Sequence, residues 1–181
     1  MQNQEKENRM GNSRVLKFRA WDKSEKKMFP ISEIHFSFVD GIYDFTSVTI
    51  FDKERGEATR HKKDVEIMEY TGLKEKSGKE IYQGDIVQIK DDQHCRDDGS
   101  CFQRVNTFVV EKGEYQCCNG GEYGNNFGLF LKKITEDVLA SDEKGLITRS
   151  ITKCDGDHHN ILDCRRGEVI DNIYQNSDLI K

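Results

Sequence analysis

Cys154, His158, His159 and Cys164 stand in one short stretch, and four side chains of these types are what a tetrahedral zinc ion takes as ligands. Cys154 and His158, with three residues between them, could reach one ion. A second set comprises His94, Cys95 and Cys101 with Cys117 and Cys118. Zinc sites, however, present their ligands as close pairs such as C-x2-C, because a short knuckle aims two ligands at one ion. Neither stretch has that spacing, so the plainer reading, separate thiols and solvated loop histidines, is preferred, and no cofactor is expected. A thiol at Cys154 or Cys164 beside His158 or His159 also has the composition of a nucleophile and its base. Catalysis of that kind needs thiolate, base and an orienting third group to converge, which adjacency in sequence does not supply. The expectation is that there is no catalytic residue and no enzymatic activity.

A different chemistry is offered by the segment from Arg14 to Phe29. It holds Arg14, Lys17, Arg19, Lys23, Lys26 and Lys27 against Asp22 and Glu25, with Phe18, Trp21 and Phe29 interleaved. Cations tracking a backbone and aromatic rings stacking on bases make a surface for single-stranded nucleic acid, with Arg14, Lys17, Arg19, Trp21, Lys26 and Lys27 as its candidates. The competing reading is a hairpin with rings inward and lysines outward, and the acidity of the rest of the chain favours it. Gly120, Gly121 and Gly124 lack the Lys-Ser/Thr of a phosphate loop. Asp91-Asp92 and Asp97-Asp98 lack the alternate ligands and closing glutamate of a calcium loop.

The elements that must carry these groups are read from the whole chain of 181 residues, long enough for one ordinary domain or two small lobes. At 35% hydrophobic and 34% charged it is wetter than a typical globular chain, which fits a small β architecture, long polar loops or an oligomer. A net charge of −5 argues against a protein whose main task is to coat duplex nucleic acid. No run of apolar residues is long enough for a membrane span, and Met1 to Asn12 is too polar for a signal peptide, so a cytoplasmic chain with reduced cysteines and no membrane partner is expected.

In chain order, residues 1–13 read as a disordered tail in which Met10 is an alternative start. Val15 to Trp21 alternates as a strand, a charged turn follows, and Met28-Phe29 closes a hairpin before Pro30, the only proline, which removes a ladder donor. Ile34 to Val39 and Tyr43 to Phe51 flank Asp40-Gly41, a strong two-residue hairpin signal. Asp52 to Lys63 reads as a polar connection. Val65 to Tyr70 resumes the alternation and leads through Gly72, Gly78 and Gly84-Asp85 into Ile86 to Ile89. Further on, Cys101 to Val110 is expected as strand, Glu111 to Glu114 as a turn, Tyr115 to Cys118 as strand, the glycines from Gly120 to Asn126 as loop, and Phe127 to Ile134 as strand. Ile134, Val138 and Leu139 share a helical face, predicting a short helix over Thr135 to Lys144. Gly156 to Asp163 reads as a polar connection and Gly167 to Tyr174 as a final strand.

Three blocks in this series resemble the YopX-like proteins of phages and prophages of low-GC Gram-positive bacteria. They are Lys17 to Asp22 with Met28; Tyr70 to Lys74 running through Gly78 to Tyr82 and Gly84 to Val87; and Val169-Ile170 with Asn172 to Tyr174, Asn176 and Leu179-Ile180. Asp171 and Ser177 depart from the family's usual glycine and proline, and aspartate tolerates the backbone of such a turn. The resemblance implies a mainly β, at most α+β, protein with an N-terminal β region over 14–69 and an SH3-like small barrel region over 70–181, interrupted by a variable insertion at about 91–164. It also implies a tendency to assemble into homo-oligomers, and it supplies no active site. The expected function is that of a non-enzymatic phage or prophage accessory protein that binds a host or phage macromolecule, with inhibition of a host process such as antiviral defence as one outcome. A nucleic-acid-binding module and a metal- or thiol-dependent enzyme are the alternatives.

Overall fold

The structure, a computed structural model, describes residues 16–97, 99–119, 122–141, 147–153 and 158–176. Side chains are described for all of these except 39, 115–119, 122–127, 137–141, 147–153 and 158–160. Among the described residues, thirteen strands run in chain order: β1 Phe18–Asp22, β2 Lys27–Val39, β3 Ile42–Asp52, β4 Gly56–His61, β5 Val65–Lys74, β6 Glu80–Tyr82, β7 Asp85–Lys90, β8 His94–Cys95, β9 Cys101–Asn119, β10 Glu122–Ser141, β11 Ile147–Lys153, β12 His158–Asn160 and β13 Glu168–Asn172. Short 3-10 segments occupy Lys62–Asp64 and Ile161–Arg166. The protein is mainly β, as expected. Every pairing between strands is antiparallel.

The strands form a six-stranded sheet in the order β4-β3-β2-β1-β5-β6 and a seven-stranded sheet with the path β11-β10-β9-β7-β13, to which β8 and β12 add at β9 and β10. Both paths are open-ended among the described residues, so the small-barrel detail goes beyond what the hydrogen bonding shows. The turns are set by local chemistry. Asp40 and Gly41 both lie at positive φ, 53° and 83°, the geometry of two-residue turns that match strand twist. At the β1–β2 turn one Asp22 carboxylate oxygen accepts the N–H groups of Ser24 and Glu25 at 2.8 and 3.0 Å, closing an aspartate-capped turn.

Two cores result. One lies within the first sheet, where Ala20, Phe29, Val48, Ile50 and Val65 pack with Ile31, Ile34, Phe45 and Ile67 around them. The other joins the sheets: Leu73 and Ile81 of β5 and β6 pack on Val87, Ile89, Phe108, Val110 and Leu131 of the second sheet, with Cys164 closing the cluster. Each large aliphatic or aromatic side chain so buried contributes roughly 1.5–3 kcal/mol.

Several expectations are corrected. Of the helix expected over Thr135 to Lys144, Thr135 to Ser141 is strand, pairing with β9 on one side and β11 on the other, because two ladders outweigh a short stretch of helical spacing; residues 142–144 lie outside the described residues. Glu111 to Glu114 is no turn but the middle of the nineteen-residue β9. The loop expected from Gly120 to Asn126 is taken up from Glu122 onward by β10, while Gly120 and Gly121 lie outside the described residues. The polar connection from Asp52 to Lys63 contains β4, whose residues alternate between half-buried and exposed. Of the connection from Gly156 to Asp163, residues 158–160 form β12 and 161–163 begin the second 3-10 segment.

Candidate functional site

Among the described residues of the basic hairpin, the candidate cations and Trp21 do not share one open face. Arg14 lies outside the described residues. Lys17 bonds Glu80 at 2.5 Å, Arg19 is drawn inward to Asp85, and Trp21 is only 8% exposed, buried rather than open to a base. Lys26 and Lys27 remain exposed at the turn. The sulfur and imidazole groups are likewise dispersed. Cys154 lies outside the described residues, and so do the side chains of His158 and His159, whose backbones pair with Lys132 and Leu131. Cys164 is a free thiol sealed in the inter-sheet core, where burial pushes it up to about 11, the wrong direction for a nucleophile or a metal ligand. Cys95 and Cys101 are joined as a disulfide. This corrects the expectation of reduced thiols for that pair and removes both from the ligands available beside His94. Backbone pairing of β8 with β9 sets the two residues opposite each other, which spacing in sequence did not show. Among the described residues, no group of three or more Cys, His, Asp or Glu is placed to hold a metal.

The structure gathers a different polar cluster, between the sheets. Gly84, at φ 82°, lets the chain reverse into β7; its N–H donates to Val110 O at 2.8 Å, and its own carbonyl accepts the Ile173 N–H at 2.9 Å. The turn drives Asp85 into the interior at 1% exposure. There its carboxylate pairs with Arg19, accepts the Tyr82 N–H at 2.8 Å and accepts Asn172 Nδ2 at 3.3 Å. Arg19 lies over the Tyr82 ring at 4.4 Å, and the Tyr82 hydroxyl donates to Glu80 at 2.8 Å. Burial pushes the Asp85 carboxyl up, while Arg19 and the two N–H donors oppose that rise. With both charges enclosed, the cluster clamps β1 of one sheet to β7 and β13 of the other. Sequence reading took Arg19 as a surface cation and missed Asn172; the only local signal was the Gly84-Asp85 turn.

A second network ties the turns of the first sheet together. Asp22 accepts Arg60 Nε at 2.6 Å, Arg60 reaches Glu25 at 2.7 Å, and Glu25 pairs in turn with Arg55, which holds Asp52 at 3.0 Å. Burial would raise the Asp22 carboxyl, but hydrogen bonds from the Ser24 hydroxyl, Arg60 and two backbone N–H groups outweigh it and hold the group down at about 2.

What stays open lies at the far end of this sheet. An open groove of about 950 Å³ has Phe45, Val65 and Ile67 as its apolar floor and Thr46, His61 and Lys63 on its rim. Three further lining charges are paired, Asp44 with Lys62 and Glu66 with Lys23, which lies outside the groove, each pair at 2.7 Å. Beside the groove the β2–β3 hairpin runs on past its lateral neighbours, since β1 pairs with β2 only as far as Pro30 and β4 with β3 only from Ser47. Phe36 opposes Phe45 and Phe38 opposes Tyr43 on this ribbon, with ring centroids 6.4 and 4.8 Å apart. Phe36, Phe38 and Tyr43 are 59%, 62% and 74% exposed. Their strands were legible in the sequence; their exposure was not.

Two antiparallel sheets joined by a buried ion pair, with an open groove and an aromatic ribbon at one end, define a mainly β protein. The chain belongs to the YopX family, whose model, described as YopX protein, matches residues 17–181. It is similar to the crystal structure of protein EF1440 from Enterococcus faecalis, at 20% identity and a TM-score of 0.40, over 93% of this chain and 100% of that one. No curated protein matches it. Among the described residues no helix is long and apolar enough to cross a membrane.

Proposed function

We propose that this chain is a non-enzymatic phage or prophage accessory protein that works inside the host cell by binding a host or phage protein, with restraint of a host process such as antiviral defence as the result. The observation that carries the reading is the groove. Its floor of Phe45, Val65 and Ile67 suits apolar side chains of a partner segment, and its lining carboxylates already hold cations of their own, which suits a protein segment better than a phosphate backbone.

Affinity purification from host cells during phage growth tests it, with the wild type run beside a Thr46→Arg, Lys63→Glu variant that alters only the rim. A protein retained by the wild type, lost by the variant and bound directly by the purified wild type is the expected result. Equal recovery by both, or an altered small-molecule pool with no retained protein, would sink the reading.

A further inference from the structure

Two strand edges wall the groove. β4 covers β3 only from Ser47 onward, and the chain then leaves that line through the 3-10 segment Lys62–Asp64 to begin β5. Among the described residues, no strand therefore lies on the outer side of β3 from Ile42 to Thr46. Val39 and Ile42 flank a two-residue turn and so form a hydrogen-bonded pair, which by alternation turns the N–H and C=O of Tyr43 and Phe45 away from β2. The Asp44 carboxyl, held down chiefly by Lys62, also takes the Phe45 N–H. The Tyr43 N–H and both carbonyls have no backbone partner among the described residues.

The β5 wall has the same character. Tyr70 donates to Lys17 O at 2.8 Å and Lys23 donates to Asp64 O at 3.0 Å, both across the β1–β5 ladder, so the backbone groups of Val65 and Ile67 point away from β1. Glu69, in step with them, accepts the Gln83 N–H at 2.9 Å, whereas Val65 and Ile67 meet no backbone partner among the described residues. On the rim, Asp44 and Glu66 already hold Lys62 and Lys23, while Lys63 has no carboxylate within ion-pair reach among the described residues.

We infer, resting on the groove being the partner's site, that the partner enters it as an extended segment adding antiparallel to β3 along Ile42–Thr46, in line with β4. Its two apolar side chains, two positions apart, oppose Phe45 and Tyr43 on the face that carries the groove floor. An Asp or Glu directly before the first of them meets Lys63, and the residue between them, opposite Asp44, is not acidic, since like charges across a ladder repel. A helix satisfies its own backbone and would leave both edges unmet, whereas an added strand pairs with them and delivers alternate side chains to the floor. The charge of Asp44 and Glu66 also makes the groove a poor track for phosphates.

Random heptapeptides displayed on filamentous phage and selected on the purified protein test it, each enriched peptide being synthesised and titrated against the wild type and Thr46→Arg. Peptides that lose binding to Thr46→Arg should carry two apolar residues two positions apart, with Asp or Glu directly before the first, and Lys63→Glu should remove the preference for the acid. Replacing the amide of either apolar residue by an ester, which deletes its N–H, should weaken binding about tenfold, whereas an ester outside the motif should not. Tyr43→Pro, which deletes an outward N–H and leaves the β2 ladder intact, should weaken binding similarly, with circular dichroism checking its fold. Groove-bound peptides whose apolar residues recur three or four apart, or whose binding ignores the esters, overturn the strand inference and leave the groove standing. A selection that yields no peptide sensitive to Thr46→Arg overturns the groove reading as well.

Discussion

Arg19 on β1 and Asp85 on β7 form an ion pair between the two sheets, and Asn172 of β13 shares the same carboxylate oxygen. Three stretches remote in sequence thus meet at one buried charge. Replacing either charged partner leaves the other enclosed and unpaired, which costs about 3–5 kcal/mol. Arg19→Met and Asp85→Leu should each lower the urea midpoint strongly, whereas the double variant should cost clearly less than the two together. Additive losses would place the two side chains in independent environments.

Asp22 gives the protein a defined acid sensitivity. Its folded carboxyl sits at about 2, below its ordinary 3.8, so the folded state binds that proton less readily than the unfolded chain. The resulting stabilisation, up to about 2 kcal/mol, is fully present above about pH 5, declines as the pH falls through 3.8 and is gone below about 2. Asp22→Asn should therefore be clearly less stable than wild type near neutrality, with the gap closing toward pH 2. Denaturant midpoints measured along that range check the sign.

The hairpins around Asp40-Gly41 and Gly84-Asp85 were readable because their turns are decided by adjacent residues. Family blocks located the Tyr70 to Val87 region for the same local reason. The ion pair was not readable, because Arg19 and Asp85 stand 66 residues apart and nothing near Arg19 distinguishes an inward from an outward arginine. The helix expected at Ile134, Val138 and Leu139 failed for a related cause: the spacing is satisfied, but the two flanking ladders that fix the strand come from elsewhere in the chain. Exposure of Phe36, Phe38 and Tyr43 follows from where β1 and β4 stop, which no local pattern encodes.

Gly167 sits where no side chain fits. A Cβ there would lie 2.7 Å from Val87 Cγ1 and 2.8 Å from the Gln88 carbonyl oxygen, and the carbonyl belongs to a paired strand that cannot retreat. Gly167→Ala should destabilise by about 1–3 kcal/mol. A thermal shift within error of wild type would mean that β13 gives way more easily than its ladder implies.

Cys164 should resist alkylation in the folded protein, because burial both excludes the reagent and suppresses the thiolate. Peptide mapping after iodoacetamide treatment should find it unmodified in native buffer and modified in denaturant. Cys95 and Cys101 should become labelled only after reduction.

The sharing of Asp85 also sets an order of assembly. β9 and β10 join through a short connection and can zip together early, as local contacts do. Asn172, by contrast, stands 87 residues beyond Asp85. During synthesis the carboxylate is therefore made long before its amide donor leaves the ribosome, and β7 keeps an open edge until β13 arrives. Docking of β13 then both covers that edge and brings Asp85 its Asn172 donor.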